Sequence, residues 1–432
     1  MTGHLHQDMT HAFAGPDGAA IRARHGAMMA RATEAARHLA GDADHGLAAI
    51  VASARRRDDL APAREAVARL ANGADAVCLF GVGGSSLGAQ AIAQFAGWRT
   101  PGTDGRINGL AFHAFDNLDA QSLKRALETL DLKRTRFLVV SKSGGTAETL
   151  LQSLAASHAL KKAGLDPARH MLAITETTDN PLRRLATALG APILEHDAGV
   201  GGRFAVLTLV GMAPAMLFGL DPEKLRAGAM AEWGLFENVS ATSSAIVAAA
   251  HAAAAMESGA VHEFLMWPYG DRYERLAHWW RQLFAESIGK GGKGAAASCA
   301  LGPVDQHSQL QLYLDGPPGR FITLIDGCSK GALALDEALA VKAGISLQKG
   351  EGPERLVAAQ FRATAETLAR RGRPVRILKP GAHNEEALGA LFMHFMLEVI
   401  LTCSLASVDP FGQPAVEVGK ALTREYLRLG NR

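Results

Sequence analysis

The sequence predicts an α/β protein of two modules, each a mostly parallel sheet flanked by helices. Three observations carry this expectation. Short apolar runs rich in β-branched residues alternate with segments of helical spacing, the pattern of a parallel sheet covered on both faces. Two of those runs, Val77–Phe80 and Arg136–Val140, lead straight into loops of glycine and hydroxyl residues. Near residue 225 the alternation restarts, with an alanine-rich helix over about 241–257 and a strand at His262–Met266.

Taken in order, residues 1–57 read as a helical N-terminal segment, alanine-rich and punctuated by charges from Ile21 to Arg57. His4, His6 and His11 belong to a frayed terminus and receive no role. Residues 58–225 form the first module, with strands at 77–80, 110–115, 136–140 and 171–174. Between them lie a helix with Leu123, Leu127 and Leu130 on one face, and a helix over 146–163 whose leucines (Leu150, Leu151, Leu154, Leu160) recur at near-helical spacing. Asn180-Pro181 opens another, since proline suits a first helical position. Residues 226–432 form the second module and its C-terminal helices, with later strands at 321–325 and 374–378. Leu276, Trp279, Trp280 and Leu283 mark the core-facing side of a helix.

Composition narrows the function classes. The 432 residues are 48% hydrophobic and 20% charged, a globular chain with an ample core. Lys+Arg 45 against Asp+Glu 43 leaves no basic surplus for nucleic acid, and Arg55–Arg57 reads as a solvated helix end. No membrane role is expected: Met1–His11 lacks an apolar core, and Leu388–Leu401 contains His394 and Glu398 and is too short to span. Cys78, Cys299, Cys328 and Cys403 lie far apart without metal spacing, as reduced thiols of a cytoplasmic protein do. Neither a metal nor a cofactor is expected.

The two loops suggest a ligand. Ser141-Lys142-Ser143-Gly144-Gly145-Thr146 lies between a strand and a helix, where backbone N–H groups, hydroxyls and the positive end of a helix dipole converge. Gly81-Val82-Gly83-Gly84-Ser85-Ser86 repeats the design. It lacks the Gly-Lys-Ser/Thr ending of a nucleotide P-loop, and its glycines miss the dinucleotide spacing. Both follow strands of one module, and open α/β sheets bind ligands beyond the carboxyl ends of their strands. A phosphate monoester fits such a pair of loops. Elsewhere Glu286 stands where a helix meets Gly289-Lys290-Gly291-Gly292, Arg203 follows two glycines, His307 lies in a turn entering a helix, and Lys420 sits in the last helix.

In chain order, GVGGSSLG, SKSGGTAET, GGRF, QLFAESIGKG, GPVDQHSQ and FGQPAVEVGK resemble the phosphoglucose isomerase family, from about Val77 to Lys420. The resemblance implies two sugar-isomerase (SIS) domains and interconversion of glucose 6-phosphate and fructose 6-phosphate. It implies a phosphate cradle at Ser141, Lys142, Ser143 and Thr146 with Gly84 and Ser85 beside it. Glu286 corresponds to the family's base, His307 to its ring-opening histidine and Arg203 to the arginine that stabilises an enediolate. Gln282, Gln413 and Lys420 match further substrate contacts, Lys420 also assisting ring opening. A homodimer with shared sites is implied, the histidine reaching across from the partner subunit. The chain differs from the usual family pattern at Ala205, where Ser or Thr is common, and at Gly412-Gln413-Pro414-Ala415.

Two other readings share these loops. A sugar-phosphate-binding SIS regulator would need no Glu286, His307 or Lys420, and an isomerase of dual phosphoglucose and phosphomannose specificity would differ in a few pocket contacts. A glucosamine-phosphate amidotransferase would need an N-terminal cysteine, and the first cysteine here is Cys78.

Overall fold

The computed structural model describes residues 4–41, 46–101, 105–240, 242–327, 333–346 and 352–430. Two sheets organise them. The first has six strands in the spatial order Arg106–Ile107, Leu110–Phe115, Ala76–Phe80, Thr135–Val140, Met171–Thr175 and Ile193–Glu195. All pair in parallel except the two-residue edge strand Arg106–Ile107. Every residue of Ala76–Phe80, Thr135–Val140 and Met171–Thr175 is buried, which explains their unbroken apolar character: helices cover both faces. One exception to that character, Arg136, is buried too, its guanidinium donating to the carbonyls of Asn72, Lys133 and Thr135.

The second sheet has five strands in the order Leu5–Asp8, Val375–Pro380, Arg320–Asp326, Glu263–Tyr269 and Ala296–Cys299. Here the antiparallel member is Leu5–Asp8, pairing Leu5 with Pro380 and Asp8 with Ile377. The expected frayed terminus is therefore a strand. Four polar-leaning residues give no strand signal of their own; what orders them is the unpaired backbone edge of Val375–Pro380. The N-terminal segment is thus tied to the second sheet. It continues as two helices, Gly15–Gly41 and Gly46–Arg55.

Other differences have local causes. The strands Arg106–Ile107, Ile193–Glu195 and Ala296–Cys299 are too short to stand out in the sequence. In helix Ala147–Lys162, Leu151 and Leu154 are about half exposed while Thr149, Gln152, Ser153 and Ala156 face inward, so leucine spacing misplaces the buried face. The helix expected from 241 starts at Ser244 and ends at Glu257. Cys78 and Cys403 are buried free thiols and Cys299 is half-buried, whereas Cys328 lies outside the described residues.

The apolar stretch read as 388–401 is the middle of a 21-residue helix, Glu385–Leu405, started by the Asn384 side chain accepting from Ala387 N. By length and composition it could cross a membrane, yet 94% of its apolar window is buried within the protein. Its polar residues have partners: Glu398 pairs with Arg376 at 2.9 Å, and His394 Nδ1 lies 2.9 Å from Ser244 Oγ. This helix crosses Pro222–Glu237, within which the expected boundary at 225 falls. The two approach backbone to backbone. A Cβ on Gly228 would come within 2.5 Å of Glu386 C, and one on Gly389 within 2.7 Å of Leu225 C. Only glycine on both sides allows so close a crossing.

Candidate active site

Both glycine–hydroxyl loops leave the carboxyl ends of neighbouring strands, with Phe80 level with Val139 in the parallel register. From Ala76–Phe80 the chain moves first to one side (Leu110–Phe115) and then to the other (Thr135–Val140), so the loops flank the point where strand order reverses. The second loop is shaped by Gly144, whose φ of 61° is left-handed and whose Cα faces Asn180 closely enough that a Cβ would collide with that side chain. Asn180 holds the loop against helix Pro181–Leu189, which it caps through Arg183 N at 2.9 Å.

Within this loop Ser141 Oγ and Thr146 Oγ1 lie 3.0 Å apart. Thr146 occupies the cap position of helix Ala147–Lys162 without a side-chain cap bond, so its hydroxyl faces Ser141 instead. Ser143 is exposed and its Oγ accepts from Gly145 N. Lys142 turns elsewhere: Nζ donates to Ala198 O at 2.9 Å and pairs with Glu176 at 3.5 Å. Its ammonium braces the loop against the following strand connections rather than joining the Ser141–Thr146 pair.

The first loop is a single 3-10 turn, Gly83–Ser85. Gly84 touches the peptide joining Gly202 to Arg203; a Cβ there would come within 2.5 Å of Arg203 N. Gly83, at φ 58°, faces Gln282, with a Cβ 2.8 Å from Gln282 Nε2. Gly84 is needed because the Gly202–Arg203 backbone leaves no room for a side chain, and Gly83 because its φ is left-handed.

Those segments bring together residues from four parts of the sequence. Arg203, in the 3-10 segment Gly202–Leu207, has a side chain only 3% exposed and uses every arm of its fork. Nε donates to Ser287 Oγ at 2.9 Å; Nη1 donates to Glu286 Oε2 at 3.2 Å and to Gln413 Oε1 at 3.1 Å; Nη2 donates to Pro410 O at 2.5 Å and Gly412 O at 3.0 Å. Burial pulls its pKa below the usual arginine range, and the charge and hydrogen bond of Glu286 oppose that. Glu286 lies one turn beyond Gln282 on helix Glu274–Ile288, so Gln282 Nε2 donates to Glu286 Oε1 at 3.0 Å. The buried faces of that helix carry Leu276, Trp279, Trp280 and Leu283, fixing its rotation and leaving Glu286 one-third exposed at the rim. Gln282 Oε1 is buried without a partner, an acceptor beside the carboxylate that a hydroxyl could satisfy.

This chain belongs to the phosphoglucose isomerase family. The family's sequence profile, described as phosphoglucose isomerase, matches residues 24–311. A Halobacterium salinarum protein named probable glucose-6-phosphate isomerase is 39% identical over 319 residues, 74% of each chain. A solved structure of a hypothetical protein from Thermus thermophilus is 30% identical and superimposes with a TM-score of 0.84, covering 99% of this chain and 100% of that one. A glucose-6-phosphate isomerase from Chlamydia trachomatis shares the fold at 19% identity, with a TM-score of 0.75 and coverage of 92% and 78%. The two sheet modules are of the sugar-isomerase type.

The structure does not bring His307 and Lys420 to this cluster within one chain. His307 is exposed at the end of the 3-10 turn Val304–Gln306, and Lys420 Nζ donates to Glu417 Oε1 at 2.7 Å. Sequence reasoning missed Ser287, fully buried behind Arg203, and the carbonyls of Pro410 and Gly412. Ser287 had a weak signal in its place next to Glu286; backbone carbonyls have none.

Proposed function

We infer that this member of the family interconverts glucose 6-phosphate and fructose 6-phosphate, with Glu286 moving the proton between carbons 1 and 2. The single observation that carries the assignment is the Glu286 carboxylate, held at the rim between Arg203 and Gln282, with Gln282 against the Gly83 turn. A base must reach a C–H proton and a cation must lie where negative charge develops; Glu286 and Arg203 supply both in adjoining positions. The hydrogen moves as a proton, through a cis-enediolate. In this reading the phosphate binds at Ser141, Ser143 and Thr146 with Gly84 and Ser85 close by, and Lys142 supports it through long-range charge. Gln282 and Gln413 contact sugar hydroxyls.

Ring opening requires a proton to leave the anomeric hydroxyl and one to reach the ring oxygen. An imidazole can accept a proton at one ring nitrogen and donate from the other, which suits that exchange. We assign it to His307 of a second copy of the chain, with Lys420 assisting. Two features support a shared site: both residues are exposed and apart from Glu286, and helix Pro414–Leu429 buries none of its residues while exposing Val418, Leu422, Tyr426 and Leu429 along one side. An apolar face of that kind asks for a covering partner. The substrate is a small soluble sugar phosphate, and the cytoplasm is the compartment we propose.

Purified protein given fructose 6-phosphate should yield glucose 6-phosphate, with mannose 6-phosphate run alongside. Ser141→Ala with Thr146→Val should raise KM about 10-fold or more and change kcat little, since the phosphate is bound alike in ground and transition states. An unchanged KM would contradict the cradle. Mixing Glu286→Gln with His307→Ala after dissociation and reassociation should restore about a quarter of normal activity, because half of random dimers hold one intact site of two. No recovery on mixing would place each site within one chain.

A further inference from the structure

Lys290 lies just past helix Glu274–Ile288, among glycines that turn the chain back, Gly291 and Gly292 having φ of 59° and 74°. Its Nζ donates to Asp409 O at 2.6 Å and Phe411 O at 2.8 Å. Arg203 Nη2 donates to Pro410 O and Gly412 O, the carbonyls between and after them. Four successive carbonyls, 409 to 412, are therefore shared in alternation by two cations. Pro410 O is buried and Phe411 O and Gly412 O are partly so, so losing either cation would hand its carbonyls to water and loosen the loop. The rest of the loop fits the same purpose. Phe411 N donates to Asp409 Oδ1 at 2.9 Å, and the Phe411 ring packs on Phe204, centroids 5.4 Å apart. Gly412 turns at φ 66° to present Gln413, whose Oε1 meets Arg203. Burial, and after it the nearby Arg203, lower the Lys290 pKa from the usual lysine range, while the Asp409 and Glu286 carboxylates oppose that.

We infer that Lys290 is a positioning residue for the isomerisation: it pins the loop 409–412, whose carbonyls and attached Gln413 fix the Arg203 guanidinium where it meets the charge of the enediolate. This rests on the reading of Arg203 as the electrostatic partner of the intermediate. Lys290 touches no reacting atom in that scheme. It links the helix bearing Glu286 to the loop bearing Gln413, so its loss should be felt in the transition state more than in sugar-phosphate binding.

The test compares Lys290→Met, which keeps the length of the stem, with Lys290→Arg, and uses Arg203→Lys as a control. For each, kcat and KM for fructose 6-phosphate are measured, with the affinities of two inhibitors: a phosphohydroxamate mimicking the planar enediolate, and sorbitol 6-phosphate, an open chain without that charge. Thermal melting checks folding. Lys290→Met should lose roughly 10- to 100-fold in kcat with KM within about threefold, as a misplaced catalytic group does. Hydroxamate affinity should fall in parallel while sorbitol 6-phosphate affinity holds, and Lys290→Arg should recover most of both. Normal kcat in Lys290→Met, or equal loss of both inhibitors, overturns the inference. If Arg203→Lys loses turnover and Lys290→Met does not, the inference alone fails; if Arg203→Lys keeps turnover, the reading beneath it fails.

Discussion

Glu286→Gln is expected to lose at least about 10²-fold in kcat, with KM for fructose 6-phosphate little altered, because general acid–base catalysis contributes roughly 10²–10⁴-fold. The change is close to isosteric. Gln413 and the loop carbonyls still engage Arg203, and the amide oxygen can still accept from Arg203 or Gln282, so the site should keep its shape. What disappears is the carboxylate that both touches Arg203 and reaches the rim. Loss of solvent-hydrogen exchange at carbon 2 should accompany the loss of turnover, since both depend on one abstraction. A variant that turns over near normally would remove Glu286 from the reaction.

Arg203→Lys is the second large effect, expected to cost about 10²–10³-fold in kcat, the range for losing preorganised electrostatic stabilisation of a developing oxyanion; with all five N–H groups bonded to protein, the guanidinium acts through its placed charge. Charge is kept, but geometry is not. The guanidinium serves Ser287, Glu286, Gln413, Pro410 and Gly412 from one rigid plane, whereas an ammonium has three donors on a flexible stem. Carbonyls at 410 and 412 would then compete with the substrate for a cation that cannot serve them all. The hydroxamate mimic should lose affinity along with kcat, and sorbitol 6-phosphate much less. Turnover within a few-fold of normal, in a variant that melts as the parent does, would mean that the fork geometry is irrelevant to the chemistry.

Much of this site is legible in the chain itself. The hydroxyl loops follow recognisable strands, and a loop that places Ser141 and Thr146 five residues apart at a helix start must turn their side chains to one spot. Glu286 could be picked out because it stands where a helix meets the glycine-rich run 289–292, in a segment resembling the family's base motif. By contrast, the role of Gly84 is invisible locally: it looks like any turn glycine, yet it is required because the Gly202–Arg203 peptide lies against it from 118 residues away in sequence. Lys142 behaves in the opposite way. Its place inside an anion-accepting loop suggested direct contact, but Glu176 and the Ala198 carbonyl take its ammonium.

The same division runs through the fold. Central strands such as Ala76–Phe80 announce themselves because burial on both faces demands an uninterrupted apolar run, a property of the strand alone. Leu5–Asp8 becomes a strand only because Val375–Pro380 offers an open edge, and nothing in four polar-leaning residues records that offer. Local order and loop chemistry were thus set by neighbours along the chain, where propensity and spacing act. Which cation meets which carboxylate, and which carbonyls hold it there, was decided by packing between distant segments, because hydrogen-bond geometry is fixed by position in space and leaves no periodic trace in the order of residues.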